Sequence, residues 1–286
     1  MGNGDSFSCW SLIKVPPSLG IIGFGQMAKA LVTPLLEKGQ LSLDHLMAVV
    51  GRSSTVERLQ AEMDQSFSCV PADDPKARDV WSAPVQLLSV KPQQLDVVAA
   101  AAPHCMAGQE SLLISVLAGV SLDRLMSAFP GRQCVRAVPN TPALVAAGLT
   151  GLAWGEGVTE TQQRWVQNFF QPVSEVFEIP EYQLDAFLAL TSSGPAYVSM
   201  ITEAMADGAV ASGLPRKLAR HLANQTLAGT AELLSKRDLH PGQLKDMVSS
   251  PGGTTITGLR QLERAGLRSA LIEAVIVAAE RSRELG

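Results

Sequence analysis

Two glycine-bearing stretches hold the residues best suited to chemistry. Near the C-terminus, Ser249-Ser250-Pro251-Gly252-Gly253-Thr254-Thr255-Ile256-Thr257-Gly258-Leu259 interrupts a region otherwise rich in Ala, Leu and Met. A Pro-Gly-Gly turn can hold backbone N–H groups close together, since glycine tolerates bends that other residues resist. If a helix starts directly after it, the helix dipole favours a bound anion. In that reading Thr254 and Thr255 add hydroxyls to an anion site; in the plainer one the turn only connects two helices. The second stretch, Gly20-Ile21-Ile22-Gly23-Phe24-Gly25-Gln26-Met27-Ala28, has the spacing GxGxxA between an apolar run and an amphipathic one. There Gly23 would allow a tight turn, Gly25 would admit a pyrophosphate to the backbone, and Ala28 would keep the helix against a sheet. Gln26 and Met27 would belong to the same cradle.

A dinucleotide site needs a second recognition point at the end of the next strand. Here that strand ends Val49-Val50-Gly51-Arg52-Ser53-Ser54. No acid is present to accept the ribose 2′-hydroxyl of NADH, whereas Arg52, Ser53 and Ser54 suit a 2′-phosphate. NADPH is therefore the expected cofactor and NADH the weaker alternative; a solvated surface arginine is the competing reading. Two further strand ends, Ser89-Val90-Lys91-Pro92-Gln93 and Val138-Pro139-Asn140-Thr141-Pro142, would line the same crevice through Val90, Lys91, Pro92 and Asn140.

The elements that must position these groups follow from the apolar pattern. Short apolar runs at 19–23, 46–50, 67–70, 85–90, 111–117, 134–138, 150–154 and 173–179 alternate with amphipathic stretches at 26–38, 55–63, 92–101, 122–128 and 160–170. Such alternation predicts an α/β fold with a parallel sheet covered on both faces. The run at 150–154 follows a loop, so the later strands are candidates for antiparallel pairing. After Pro180 only helical patterns remain, at 182–190, 195–213, 216–235, 241–248, 255–265 and 267–285. The expected organisation is a flexible segment 1–18, an NADPH-binding domain 19–180 and an all-helical domain 181–286. Gly208, in a small-sided helix, is expected where another backbone comes close. A helical half this apolar is expected to bury part of itself against a second copy.

Composition narrows the function classes. The chain has 286 residues, 46% of them hydrophobic and 17% charged, and a net charge of −4. That balance argues against a nucleic-acid surface. Cys9, Cys69, Cys105 and Cys134 are far apart and read as reduced thiols, and His45, His104, His221 and His240 are scattered, so no metal is expected. Residues 1–18 hold one short apolar stretch, Phe7 to Ile13, but it includes Ser8 and Ser11, follows Asp5 and lacks a basic region before it, so it makes a poor signal or transit peptide; no apolar run is long enough to span a membrane. The default expectation is the cytoplasm.

On several of these stretches the chain resembles the pyrroline-5-carboxylate reductase family. The matching residues are Ile22–Ala28, Ser89–Gln93, Val135–Gly148, Ser193–Val198, Gln225–Gly229 and, with the greatest specificity, Met247–Glu263. The resemblance implies NADPH-dependent reduction of the cyclic imine 1-pyrroline-5-carboxylate to L-proline, the last step of proline biosynthesis. It also implies a Rossmann domain followed by a helical dimerisation domain, homodimers and, in many members, decamers of five dimers. Carried onto this chain, Ser250, Gly252, Gly253 and Thr254 would face the substrate carboxylate and Thr255 the ring nitrogen; which subunit supplies that loop is left open. Three positions depart from the family pattern. Ser192 stands where a glycine is frequent, and Gly51-Arg52-Ser53 where Asn-Arg-Thr is common. Asp73, Asp74 and Lys76 occupy a region where an asparagine commonly helps hold the adenosine.

An imine substrate fits the absence of histidine from every candidate site stretch. An imine nitrogen takes a proton from water before hydride arrives, so a weak donor such as the Thr255 hydroxyl suffices, and positioning carries most of the work. Two rivals are a β-hydroxy acid reductase and a non-catalytic NADPH-binding regulator. The first usually needs a lysine on the long interdomain helix, and 195–213 has none. Only an assay separates the second.

Overall fold

The computed structural model describes residues 18–105 and 111–285; the expected flexible segment, Cys9 included, lies outside them except for Ser18. Strands β1 (Leu19–Ile22), β2 (Leu46–Val50), β3 (Ser68–Pro71), β4 (Val85–Leu88), β5 (Leu112–Ser115), β6 (Gln133–Val138), β7 (Gly148–Trp154) and β8 (Ser174–Glu178) form one sheet in the order β3-β2-β1-β4-β5-β6-β7-β8. The chain reverses direction across the sheet between β1 and β4, which opens a crevice at their C-terminal ends.

The strands at the crevice are short and mostly apolar because both their faces are covered, with Gln86 and Ser115 the buried polar exceptions in β4 and β5. Every residue of β1, β4 and β5 is buried. On one face lie α1 (Gln26–Glu37), α2 (Ser53–Glu62) and α6 (Glu160–Phe170), contributing Leu31, Leu35, Leu59 and Phe170 to the core. On the other lie α3 (Ala77–Trp81), α4 (Leu95–Ala101), α5 (Leu122–Ala128) and α7 (Leu184–Thr191), contributing Trp81, Leu95, Leu125 and Leu184. Strands β1 to β6 pair in parallel and β7 runs antiparallel to β6. A 3-10 turn at Thr141–Val145, and no crossover helix, joins β6 to β7, so β7 has to return antiparallel. Helix α6 then provides the crossover that lets β8 pair parallel to β7.

The described chain forms two compact units. The first runs to Ser192 and takes in the residues from Ala278 on; the second is Ser193–Val277. The sequence turns all-helical after Pro180, but Leu184 of α7 is fully buried in the core of the first unit, which carries the contact boundary beyond α7.

The second unit contains α8 (Gly194–Ala211), α9 (Arg216–Arg237), α10 (Pro241–Met247), α11 (Thr254–Arg264) and most of α12 (Leu267–Glu284). Its buried cluster is made of alanines, Ala206, Ala219 and Ala223, while Met200, Leu218, Leu222, Ile272 and Ile276 stay exposed. Gly208 does not meet its expectation within the chain. It is exposed, and nothing lies within 4 Å of where its Cβ would stand. No helix among the described residues is long and apolar enough to cross a membrane, and none of them form a His/Cys/Asp/Glu group that could hold a metal.

Candidate active site

The turn between β1 and α1 is built around Gly23, whose φ of +83° lies in the left-handed region. A Cβ there would stand 2.6 Å from Val90 Cγ1 and 2.7 Å from Ser89 O, so neither the conformation nor the space admits a side chain. Gly25 differs. Its φ of −89° suits any residue, and no atom lies within 4 Å of its Cβ position. The space left there is what a bound group would occupy. Gly25 is the N-cap of α1 without a side-chain cap, the first turn has no acid, and the helix's first backbone bond runs from Lys29 N–H to Gly25 O. The N–H groups of Gln26, Met27 and Ala28 thus lack helical partners, the arrangement that binds phosphate.

This turn opens on a cavity of about 550 Å³ between the ends of β1, β2, β3 and β4. Gly23, Gly25, Val90 and Lys91 line it. Gln26, Met27 and Ala28 form the first turn of α1, with Ala28 fully buried against the sheet. Pro92 opens a 3-10 turn just past the wall. Arg52, Ser53 and Ser54 are exposed at the start of α2 and do not line the cavity. Thr55, Arg58 and Arg78, which the sequence reading passed over, do. The glycine cradle, the uncapped helix start and the cavity's length along the strand ends fit a dinucleotide.

One expected ligand residue is hydrogen-bonded within the fold. Asn140 is buried, its Oδ1 accepts the Leu149 N–H at 2.8 Å, and its Nδ2 donates to Thr191 O at 3.0 Å. Both ends of the carboxamide therefore tie β6, β7 and α7 together. Ser192, standing where a glycine is frequent, has an ordinary φ of −92° and donates its hydroxyl to Pro139 O at 3.0 Å.

The second glycine stretch folds within the helical unit. Gly252 takes a φ of +67°, and Gly253 is the N-cap of α11. The Gly253 N–H is not open to a ligand, because it donates to Ser250 O at 3.0 Å and closes the turn. The donors that remain are those of Thr254, Thr255 and Ile256, since Thr257 N–H is the first to bond back, to Gly253 O, and no side chain caps the helix. Thr254 is exposed and Thr255 half-buried. Thr255 lines a groove of about 580 Å³ with Gln225, Thr226, Thr230 and Lys245, whereas Ser250, Gly252, Gly253 and Thr254 do not.

A mostly parallel, doubly wound sheet whose glycine cradle opens at the switch point defines a dinucleotide-binding protein of the Rossmann class. The comparisons agree: residues 18–119 match the family of NADP oxidoreductases, coenzyme F420-dependent, and residues 181–285 match that of pyrroline-5-carboxylate reductase dimerisation. The chain is 44% identical to the pyrroline-5-carboxylate reductase of Synechocystis sp., over 94% of this chain and 98% of that one. It is 39% identical to that of Glycine max, over 94% and 96%. Among solved structures, Plasmodium falciparum pyrroline carboxylate reductase with NADP bound superposes with a TM-score of 0.81 at 27% identity, covering 94% of this chain and 98% of that one. The chain belongs to the pyrroline-5-carboxylate reductase family.

Proposed function

We propose that this chain reduces 1-pyrroline-5-carboxylate to L-proline with NADPH, an oxidoreductase reaction on a CH–NH group and the last step of proline biosynthesis. The observation that carries the reading is a pair of uncapped helix starts, α1 and α11, each behind a glycine turn and each offering three unpartnered N–H groups. One suits a pyrophosphate and the other a carboxylate, the anionic groups of this cofactor and this substrate.

Gly23, Gly25 and the first turn of α1 hold the pyrophosphate, while Val90, Lys91 and Pro92 bound the crevice beyond it. Arg52, Ser53 and Ser54, exposed at the start of α2, stand outside the cavity wall and contribute positive charge and hydroxyls to its surroundings at most. NADPH, when bound, supplies the hydride that adds to the C=N carbon. Gly252 and Gly253 shape the turn, with Ser250 O accepting the Gly253 N–H. The N–H groups of Thr254 to Ile256 grip the substrate carboxylate. The Thr255 hydroxyl orients the ring nitrogen, which is protonated before hydride arrives.

A homodimer is the unit of assembly. The match to the dimerisation family over residues 181–285 supports it, as do the exposed Met200, Leu218, Leu222, Ile272 and Ile276 above a core of alanines. A decamer of five dimers is the larger form, and the cytoplasm is the compartment this reading assigns. Steady-state rates with NADPH and NADH against five- and six-membered cyclic imino acids test the activity. Preference for NADPH and the five-membered ring is expected; reduction of open-chain keto acids in their place would select the β-hydroxy acid reductase reading.

A further inference from the structure

We propose that Arg58 of α2 and Arg78 of α3 hold the 2′-phosphate of NADPH and set the preference over NADH. The inference rests on the reading that the cavity at Gly23 and Gly25 takes the cofactor. Gly25 and Lys91 lie at the end of that cavity nearest β1 and β4; Thr55, Arg58, Pro75 and Arg78 lie at the end nearest β2 and β3. With the pyrophosphate on the glycines, the adenosine ribose must run toward β2 and β3. No acid ends β2 to receive a free 2′-hydroxyl. The arginine adjacent in sequence, Arg52, is outside the wall, whereas two others are in it.

Both of those guanidiniums are available. The Glu62 carboxylate closest to Arg58 is 4.0 Å from its Nε and is already paired with Lys29. Arg78 has no ion pair among the described residues. Asp73 and Asp74 line the same wall, but Asp74 Oδ1 is turned to its own loop, accepting the Lys76 N–H at 2.8 Å, and neither acid pairs with either arginine. A phosphate monoester carries close to two negative charges near neutral pH, so two planar guanidiniums on different helices match it in charge and geometry. Arg58 comes one turn after the strand end where sequence reasoning looks for the 2′-phosphate, and Arg78 comes from a helix of only five residues.

Both side chains are exposed at the surface, so glutamine at either position is expected to leave the fold intact. The test measures Kd for 2′,5′-ADP and for 5′-AMP by calorimetry on the native enzyme, Arg58→Gln, Arg78→Gln and the double variant, alongside kcat/KM with NADPH and NADH. Each single change is expected to weaken 2′,5′-ADP and lower kcat/KM for NADPH about tenfold, as for loss of one charge-assisted hydrogen bond. Binding of 5′-AMP and turnover of NADH should hold within about twofold. Equal losses with both nucleotides, or none with either, would overturn the proposal. So would a native enzyme that prefers 5′-AMP, which would give Asp73 or Asp74 the ribose hydroxyl instead. A native enzyme that binds neither nucleotide would overturn the cofactor reading itself, and this proposal with it.

Discussion

Arg136 of β6 donates from Nη2 to Asp185 Oδ1 of α7 at 2.7 Å, with both side chains almost wholly out of solvent. The same carboxylate oxygen accepts the Ser282 hydroxyl at 2.7 Å, so the last turn of α12 is fastened to the sheet unit through one buried charge. Glu181 stands second in line, 3.4 Å from Arg136 Nη1, while its Oε1 also accepts the Leu122 N–H. Removing one partner of a buried pair strands the other. Asp185→Ala is therefore expected to cost about 3–5 kcal/mol, read as a lower urea midpoint at unchanged slope. A midpoint within experimental scatter of the parent would show that Glu181 takes over the charge.

Gly23 and Gly25 should separate folding from binding. Gly23→Ala forces a side chain into a left-handed φ and against Ser89 and Val90, and should lower the melting temperature markedly. Gly25→Val meets an ordinary φ and open space at its Cβ, so it should cost far less stability than Gly23→Ala while NADPH binding weakens tenfold or more, because the side chain fills the pyrophosphate cradle. A stable Gly25→Val enzyme with normal NADPH affinity would move the pyrophosphate elsewhere.

Burial pushes the Cys69 thiol from 9.0 up to about 11 and the Cys134 thiol up to about 12. In the folded chain both keep their protons where the unfolded chain has begun to lose them. Their contribution to stability is whole below about pH 9 and is lost as pH rises through 11 and 12. Urea midpoints should fall between pH 9 and 11, and the fall should be shallower in Cys69→Ala/Cys134→Ala. Below pH 9, neither thiol should react with an aromatic disulfide reagent until the chain unfolds.

Thr255→Val removes the hydroxyl at nearly constant size. If that hydroxyl orients the ring nitrogen, kcat should fall one to two decades, near the about 10²-fold that a positioned proton donor gives, with NADPH affinity unchanged. Pre-steady-state traces with NADPH would read both. An unaltered kcat would reduce Thr255 to a packing role in its groove.

The sequence disclosed the site's backbone better than its side chains. The GxGxxA turn and the uncapped start of α11 are local features, set by glycine conformations and by the change from one period to another, and both stand where the pattern put them. So does the antiparallel return of β7, because a proline-bounded loop cannot serve as a crossover. The bonds of the Asn140 carboxamide were not legible, because they reach Leu149 and Thr191 and no local spacing announces partners that distant. Arg78 escaped because α3 is five residues long, too short to show a helical period. The open N–H groups at α11 are shifted along the chain from Gly253 to Thr254 through Ile256, since the turn consumes the Gly253 donor in closing on Ser250.

The central claim is that this chain carries hydride from NADPH to a cyclic imino acid. Its most direct test is the amount of L-proline formed per NADPH oxidised when the purified full chain is given 1-pyrroline-5-carboxylate. One proline per NADPH is expected, with no NADPH consumed when an open-chain keto acid replaces the imine. A folded chain that binds NADPH yet forms no proline would contradict the account and leave the non-catalytic NADPH-binding regulator in its place.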